Sequence, residues 1–249
     1  NQNAMAIYES GHHINVDNVD PLIKKVTLIG PLYKPAKVAL QLTSLQNMHT
    51  TGKQIIGKVN SKFGAWKIVV DDRQARFKKV PTIVTRVIGN LYAMDVPASF
   101  IEDAKQFQAK INSTRLTKPK AKDIENDQSQ DETKHSVSQQ SFSSVLKNFS
   151  AFVALISNQP NYETEIADLT LTALQDFEKD LEKSNSEMNK VASDLTDVRI
   201  ERNLYFYTPE TGLVDIAKAV KNYVKGIFGA THPTYLDIKK IRFKNIRRN

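Results

Sequence analysis

No cysteine occurs among the 249 residues. Disulfides, thiol nucleophiles and cysteine-based metal sites are excluded together, and the composition suits a cytoplasmic protein. Nine glycines and nine prolines are few for this length, which favours helices over turn-rich β structure. Strand-like alternation is scarce, with Ile241-Arg242-Phe243 its best short example. No apolar run approaches the roughly 20 residues of a membrane-spanning helix. The strongest hydrophobic stretch, Phe149 to Ile156, is far too short, so a membrane is not expected as a partner.

Reactive chemistry is also sparse. The five histidines are His12, His13, His49, His135 and His232. None has a second histidine at helical ligand spacing, the adjacent pair His12-His13 lies in a polar lead-in, and His49 reads as a core residue. There is no HExxH, phosphate-binding glycine loop or Gly-x-Ser-x-Gly. Carboxylates on the long helices are mixed with lysines, where pairing four residues apart accounts for them. The expectation is a chain with no catalytic residue, cofactor, metal or small-molecule ligand.

Helical periodicity is what the sequence has. From Asn161 to Arg202, Ala167, Thr170, Leu174, Phe177, Leu181, Ser184, Met188, Val191, Leu195 and Val198 alternate at spacings of three and four. That spacing draws one seam along a long amphipathic helix. A second seam starts near Pro35 and runs through Val38, Leu42, Leu45, His49, Gly52, Ile56, Val59, Phe63, Trp66 and Val70. Gly52, Gly57 and Gly64 weaken this helix and mark close contacts, so it is expected to be the less regular one.

The two stretches share an internal register. Pro31-x-Tyr33 and Leu42-Thr43-Ser44-Leu45-Gln46 recur as Pro160-x-Tyr162 and Leu171-Thr172-Ala173-Leu174-Gln175, at an offset of 129 (160 − 31). The same offset pairs Leu22 and Ile23 with Ala151 and Phe152, and Arg73 with Arg202. Val84, Ile88 and Pro97 match Val220, Val224 and Pro233 at 136 (233 − 97), which places an insertion near Tyr205 to Thr211. An internal duplication follows. A short gap would instead align Asp71-x-Arg73-x-x-Arg76 with Asp197-x-Arg199-x-x-Arg202.

The expected fold is all-α, an elongated helical bundle of two tandem copies of a unit with long amphipathic helices. Residues 5–112 form the first repeat, 113–140 a polar linker and 141–249 the second repeat. Met5 to Asp20 reads as a polar lead-in before a helix begun by Asn18 or Asp20 with Pro21. Thr208-Pro209-Glu210 reads as the start of the helix after the second long one, and Gly229 as its C-cap.

Two groups of charged residues are candidate sites. Arg73, Arg76, Arg199 and Arg202 lie near the ends of the long helices beside Asp71, Asp72, Asp197 and Glu201. They suit structural ion-pair clusters, with an anion site as the alternative. The end of the chain carries Lys239, Lys240, Arg242, Lys244, Arg247 and Arg248 without an acid, in a protein of net charge +8. Ile238, Ile241, Phe243 and Ile246 interleave with these cations and read as anchors onto the bundle.

Several motifs together resemble a family. They are Ala6-Ile7-Tyr8-Glu9-Ser10-Gly11-His12, Ser138-Gln139-Gln140-Ser141-Phe142, Pro160-Asn161-Tyr162, Arg199-Ile200-Glu201-Arg202-Asn203, Gly212-Leu213-Val214-Asp215 and Lys221-x-Tyr223-Val224-Lys225-x-Ile227-Phe228-Gly229-Ala230. The chain resembles, over nearly its whole length, an uncharacterised family of duplicated helical proteins found mainly in Bacteroidetes. The resemblance implies a helical fold and brings no catalytic residues. The function expected is that of a non-enzymatic scaffold binding a protein partner or forming a homo-oligomer. Weak, sequence-independent binding of nucleic acid or an anionic surface through the basic tail is the alternative.

Overall fold

The computed structural model describes residues 2–112 and 141–246, the first eight of them for their backbone alone. Regular structure among the described residues is entirely helical. In chain order the helices are α1 (Gln2–Asp17), α2 (Val19–Ile29), α3 (Leu42–Phe77), α4 (Val80–Leu91), α5 (Ala98–Asn112), α6 (Phe142–Ser157), α7 (Leu171–Tyr207), α8 (Leu213–Phe228) and α9 (Pro233–Lys239). Two short 3-10 turns, Gly30–Leu32 and Val38–Leu40, precede α3. The polar linker at 113–140 lies outside the described residues.

The chain divides into two compact units. One holds Asn1–Trp66 and Val191–Asn249, and the other holds Lys67–Lys190. Helices α3 and α7 each contribute residues to both units.

In the second unit, α5 packs against α4 and α6. The apolar stripe of α6 is Phe149, Phe152, Val153 and Ile156, a three-four spacing that buries one helical face. It joins Val80, Val84, Ile88 and Leu91 of α4 with Leu174 and Leu181 of α7 in one core. Ser141 caps α6 by accepting from the Ser144 N–H at 3.1 Å. Pro81 stands in the first turn of α4, where its missing N–H costs nothing.

In the first unit, Leu22, Val26 and Ile29 of α2 share a core with Leu45 of α3 and with Ile216, Val220 and Val224 of α8. A neighbouring cluster joins Val16, Val19, Ile56, Phe206, Tyr207 and Leu213. Gly229 ends α8 with φ +87° and its N–H on the Lys225 carbonyl, as its sequence suggests.

The helix bounds correct several expectations. The polar lead-in is helix α1. Asn18 does not cap α2 through its side chain, which instead donates to the Arg242 carbonyl at 2.8 Å. The seams begin later than their spacing implies. Val38 and Ala167 are exposed and lie before α3 and α7. In each case a loop is tied back before the helix starts: Tyr33 Oη donates to the Leu40 carbonyl at 2.7 Å, and Tyr162 Oη to the Leu169 carbonyl at 2.5 Å. Thr170 Oγ1 then accepts from the Ala173 N–H and caps α7.

Despite its glycines α3 is unbroken over 36 residues. Only Gly52 of the three faces packed atoms, near Val16 and Leu213, whereas Gly57 and Gly64 face open space. In the α2 and α6 stripes, burial matches at an offset of 130 (152 − 22) in place of 129: Leu22 and Phe152 are fully buried while Ala151 is exposed. The helix α8 starts at Leu213, not at Thr208. Asp215 accepts from the Glu210 N–H and holds a turn there. At Gly212 a Cβ would come within 2.7 Å of the Thr208 backbone, so the turn admits only glycine.

Candidate functional site

The four arginines belong to different units. Arg73 and Arg76 are in the second, Arg199 and Arg202 in the first. Arg76 Nε donates to Asp72 at 2.7 Å and Nη1 bonds Asp180 of α7; these two hydrogen bonds hold its pKa above the ordinary arginine value. The Arg73 guanidinium lies 4.2 Å from the centre of the Phe142 ring, and burial pushes its pKa down. Arg202 is buried at 4% exposure, with Nη2 donating to Asn203 Oδ1 at 3.0 Å. Arg199 is half-buried. Glu201, beside Arg202 in sequence, pairs instead with Lys58 at 2.9 Å.

Arg202 leads to a group that hydropathy conceals. His12 and Asn15 of α1 are 3% and 1% exposed. His12, Asn15, Val16 and Val19 recur at helical spacing and extend the α2 stripe backward. Two of the four positions are polar, which is why the segment reads as a lead-in.

The hydrogen bonds of this group form one connected set. The Lys244 N–H donates to Asn15 Oδ1 at 2.9 Å, while Asn15 Nδ2 donates to the Lys244 carbonyl at 2.7 Å. The second Nδ2 proton reaches Tyr207 Oη at 3.2 Å. Tyr207 Oη, accepting from Asn15, is also hydrogen-bonded to His12 Nδ1 at 2.6 Å. Burial first, then the charges of Arg202, His13 and Arg199, lower the His12 pKa to about 4. His12 is therefore neutral at pH 7.

The basic tail meets this group. Ile238 is fully buried in the α2–α8 core, with Ile241 and Phe243 packed partly against it. Ile246 packs on the cluster holding Val16 and Tyr207. The anchors expected from the sequence are thus in place. The side chains of Lys239, Lys240, Arg242 and Lys244 are exposed, and Lys240 pairs with Asp237 at 3.8 Å. Arg247 and Arg248 lie outside the described residues.

A groove of about 710 Å³ opens where α2, α8 and α9 meet, lined among others by Lys25, Leu28, Phe228, Leu236 and Lys240. Leu28 is 86% exposed and Leu236 43%. Among the described residues no three His, Asp or Glu side chains are grouped to hold a metal ion, and no helix is long and apolar enough to cross a membrane. Comparison with known protein families, with characterised proteins and with solved structures finds no match.

Proposed function

We propose that the chain is a non-enzymatic helical interaction protein whose two units descend from a duplicated helical segment. The paired tyrosine hydrogen bonds support the duplication. Tyr33 to Leu40 and Tyr162 to Leu169 have the same span, at an offset of 129 at both ends (162 − 33, 169 − 40).

The observation that carries the interaction role is Leu28 beside the α2–α8–α9 groove. A leucine left 86% exposed at a concave apolar site supports protein binding. Lys25 and Lys240 border the groove and share the one carboxylate of Asp237 in its lining, an excess of one positive charge, so the occupant is an amphipathic segment of a partner with an acidic residue flanking its apolar face. A photo-crosslinker at position 28, expressed in the native host, tests this against the same group at Leu204, which is 63% exposed in the same unit. The expected product joins position 28 to one acidic partner. Once purified, that partner binds at least tenfold more weakly to the Leu28→Asp protein. Products no stronger at 28 than at 204 would sink the reading, and a product between two copies would replace the partner with self-association.

The tail supports a second reading. Its apolar residues point inward while Arg242 and Lys244 are exposed, leaving cations available to phosphates. Fluorescence anisotropy with duplex and single-stranded oligonucleotides should show weak binding that fades with salt. Submicromolar affinity at moderate salt, lost on neutralising Arg242 and Lys244, would put nucleic acid first; no binding at low salt would remove it.

A further inference from the structure

The tail is held largely by side chains from the rest of its unit. Residues 241–246 have no helix or strand and no ladder with another backbone. Their peptide groups are met instead by side chains from three places on one unit. Lys221 Nζ donates to the Ile241 carbonyl, Asn18 to the Arg242 carbonyl at 2.8 Å, and Asn15 pairs with both the N–H and the carbonyl of Lys244. Backbone contacts of this type hold a chain whatever its side chains are.

Side-chain selection is separate. Phe243 packs against the two apolar clusters with Lys221 Nζ 5.2 Å from its ring centre. Ile246 sits in a notch at Gly11, where even a methyl group would overlap the end of its side chain. The groove therefore reads residues at positions 1, 3 and 6 of a segment without helix or strand, occupied by Ile241, Phe243 and Ile246.

We propose that the α1–α2–α8 groove is a docking site for a peptide without helix or strand, filled in cis by the chain's own tail and open to a partner segment with large apolar residues at the same spacing. The partner chemistry is given by the ligand already seated. It is an irregular stretch with isoleucine- or phenylalanine-sized residues at positions 1, 3 and 6, no helix of its own, and an intact peptide group opposite Asn15. This site stands apart from the Leu28 groove, and neither proposal depends on the other.

The probe is a fluorescein-labelled peptide, Lys240–Ile246, titrated with the full chain at fixed moderate salt, beside a scrambled peptide of equal charge. The cis tail competes at the high effective concentration of a tethered ligand, so the unmodified protein binds weakly. Phe243→Ala loosens the tail and leaves the groove intact, and it should bind the probe at least tenfold more tightly. Adding Asn15→Leu should cancel that gain, and the scrambled peptide should bind at least tenfold more weakly throughout. Equal binding by the unmodified and Phe243→Ala proteins, or by both peptides, overturns the proposal. Ile246→Ser gives the same reading should Phe243→Ala fail to fold. If neither folds, the tail is an integral part of the core and the proposal fails.

Discussion

On the proposed duplication, the two units place different chemistry at corresponding positions. In the second, Phe142 packs edge-on against Phe77 with ring centres 4.9 Å apart and lies under the Arg73 guanidinium. On the proposed duplication, an offset of 130 (142 − 12) sets His12 at that place, and 129 sets Phe206 and Arg202 at Phe77 and Arg73. His12 is indeed 6.3 Å from Phe206, ring centre to ring centre, and Arg202 helps to keep it neutral. Asn15 takes the place of Val145. The segments covering the two patches also differ. Ile111 of α5 borders Phe142 and Val145 in one, and the tail, which has no helix or strand, covers the other. A helix satisfies its own peptide groups, so its groove can be apolar. A segment without helix or strand brings unpaired N–H and carbonyl groups, so its groove must supply partners. The polarity of the patch follows from the conformation of its cover.

The largest effects separate the units by what fills their cores. Phe152→Ala empties a fully buried site in the second unit and should cost about 3–5 kcal/mol. Leu22→Ala, its counterpart in the first, should cost about 2–4 kcal/mol. Urea melts of both variants test the pairing at offset 130. A negligible cost at Leu22 together with a large one at Ile23 would restore the offset of 129 in these helices.

Next comes the polar patch itself. Asn15→Leu strands the Lys244 peptide groups and a Tyr207 contact in a buried setting, a loss of roughly 2–3 kcal/mol. Val145→Ala, at the apolar counterpart, should cost only about 1 kcal/mol because the site is half-buried. Equal costs in a denaturant titration would show that the Asn15 bonds contribute nothing beyond packing.

Much of this was legible in the sequence, and the exceptions have physical causes. The long helices were visible because a core-facing stripe imposes its period on apolar residues, as Leu174, Leu181 and Leu195 do. The helix starts were misplaced because a tyrosine-tied loop can carry apolar residues at the same spacing, as Val38 does. The helix α1 was missed because its buried face holds His12 and Asn15, whose hydrogen bonds come from Tyr207 and Lys244, 195 and 229 residues away. No local pattern announces partners that distant. Among the arginines, the sequence placed Arg76 beside Asp72, but not with Asp180.

The polar patch should also give the first unit a pH response that the second lacks at that position. His12 has a folded pKa near 4 against an ordinary value of 6.5. The unfolded chain binds its proton first, so stability is full above the unfolded value and is lost as pH falls from 6.5 towards 4. After allowance for solvent screening the loss by pH 4 is about 2 kcal/mol. His12→Phe copies the other unit and should flatten the stability curve over this interval. Parallel curves for the two proteins in urea melts from pH 7 to pH 4 would mean that His12 is charged in the fold.

The smallest effects bear on the duplication. Tyr33 and Tyr162 each close a loop of the same length onto a buried leucine carbonyl, ahead of a long helix. Burial raises the pKa of both phenols, Tyr162 to about 12, so both are neutral donors under ordinary conditions. Removing either hydroxyl loses one hydrogen bond and leaves a carbonyl that water can partly reach, at a cost near 1 kcal/mol. Their surroundings differ: Tyr33 meets Tyr223 edge-on at 5.3 Å, and Tyr162 packs against the phenylalanine-rich core of the second unit. A tyrosine-to-phenylalanine change retains those ring contacts and isolates the hydroxyl. If both loops are copies of one device, Tyr33→Phe and Tyr162→Phe should cost the same within about 0.5 kcal/mol, and the double variant should show the sum. A cost confined to one site would mean that the shared geometry holds only one of the two loops, and the structural support for the duplication would then rest on burial pattern alone.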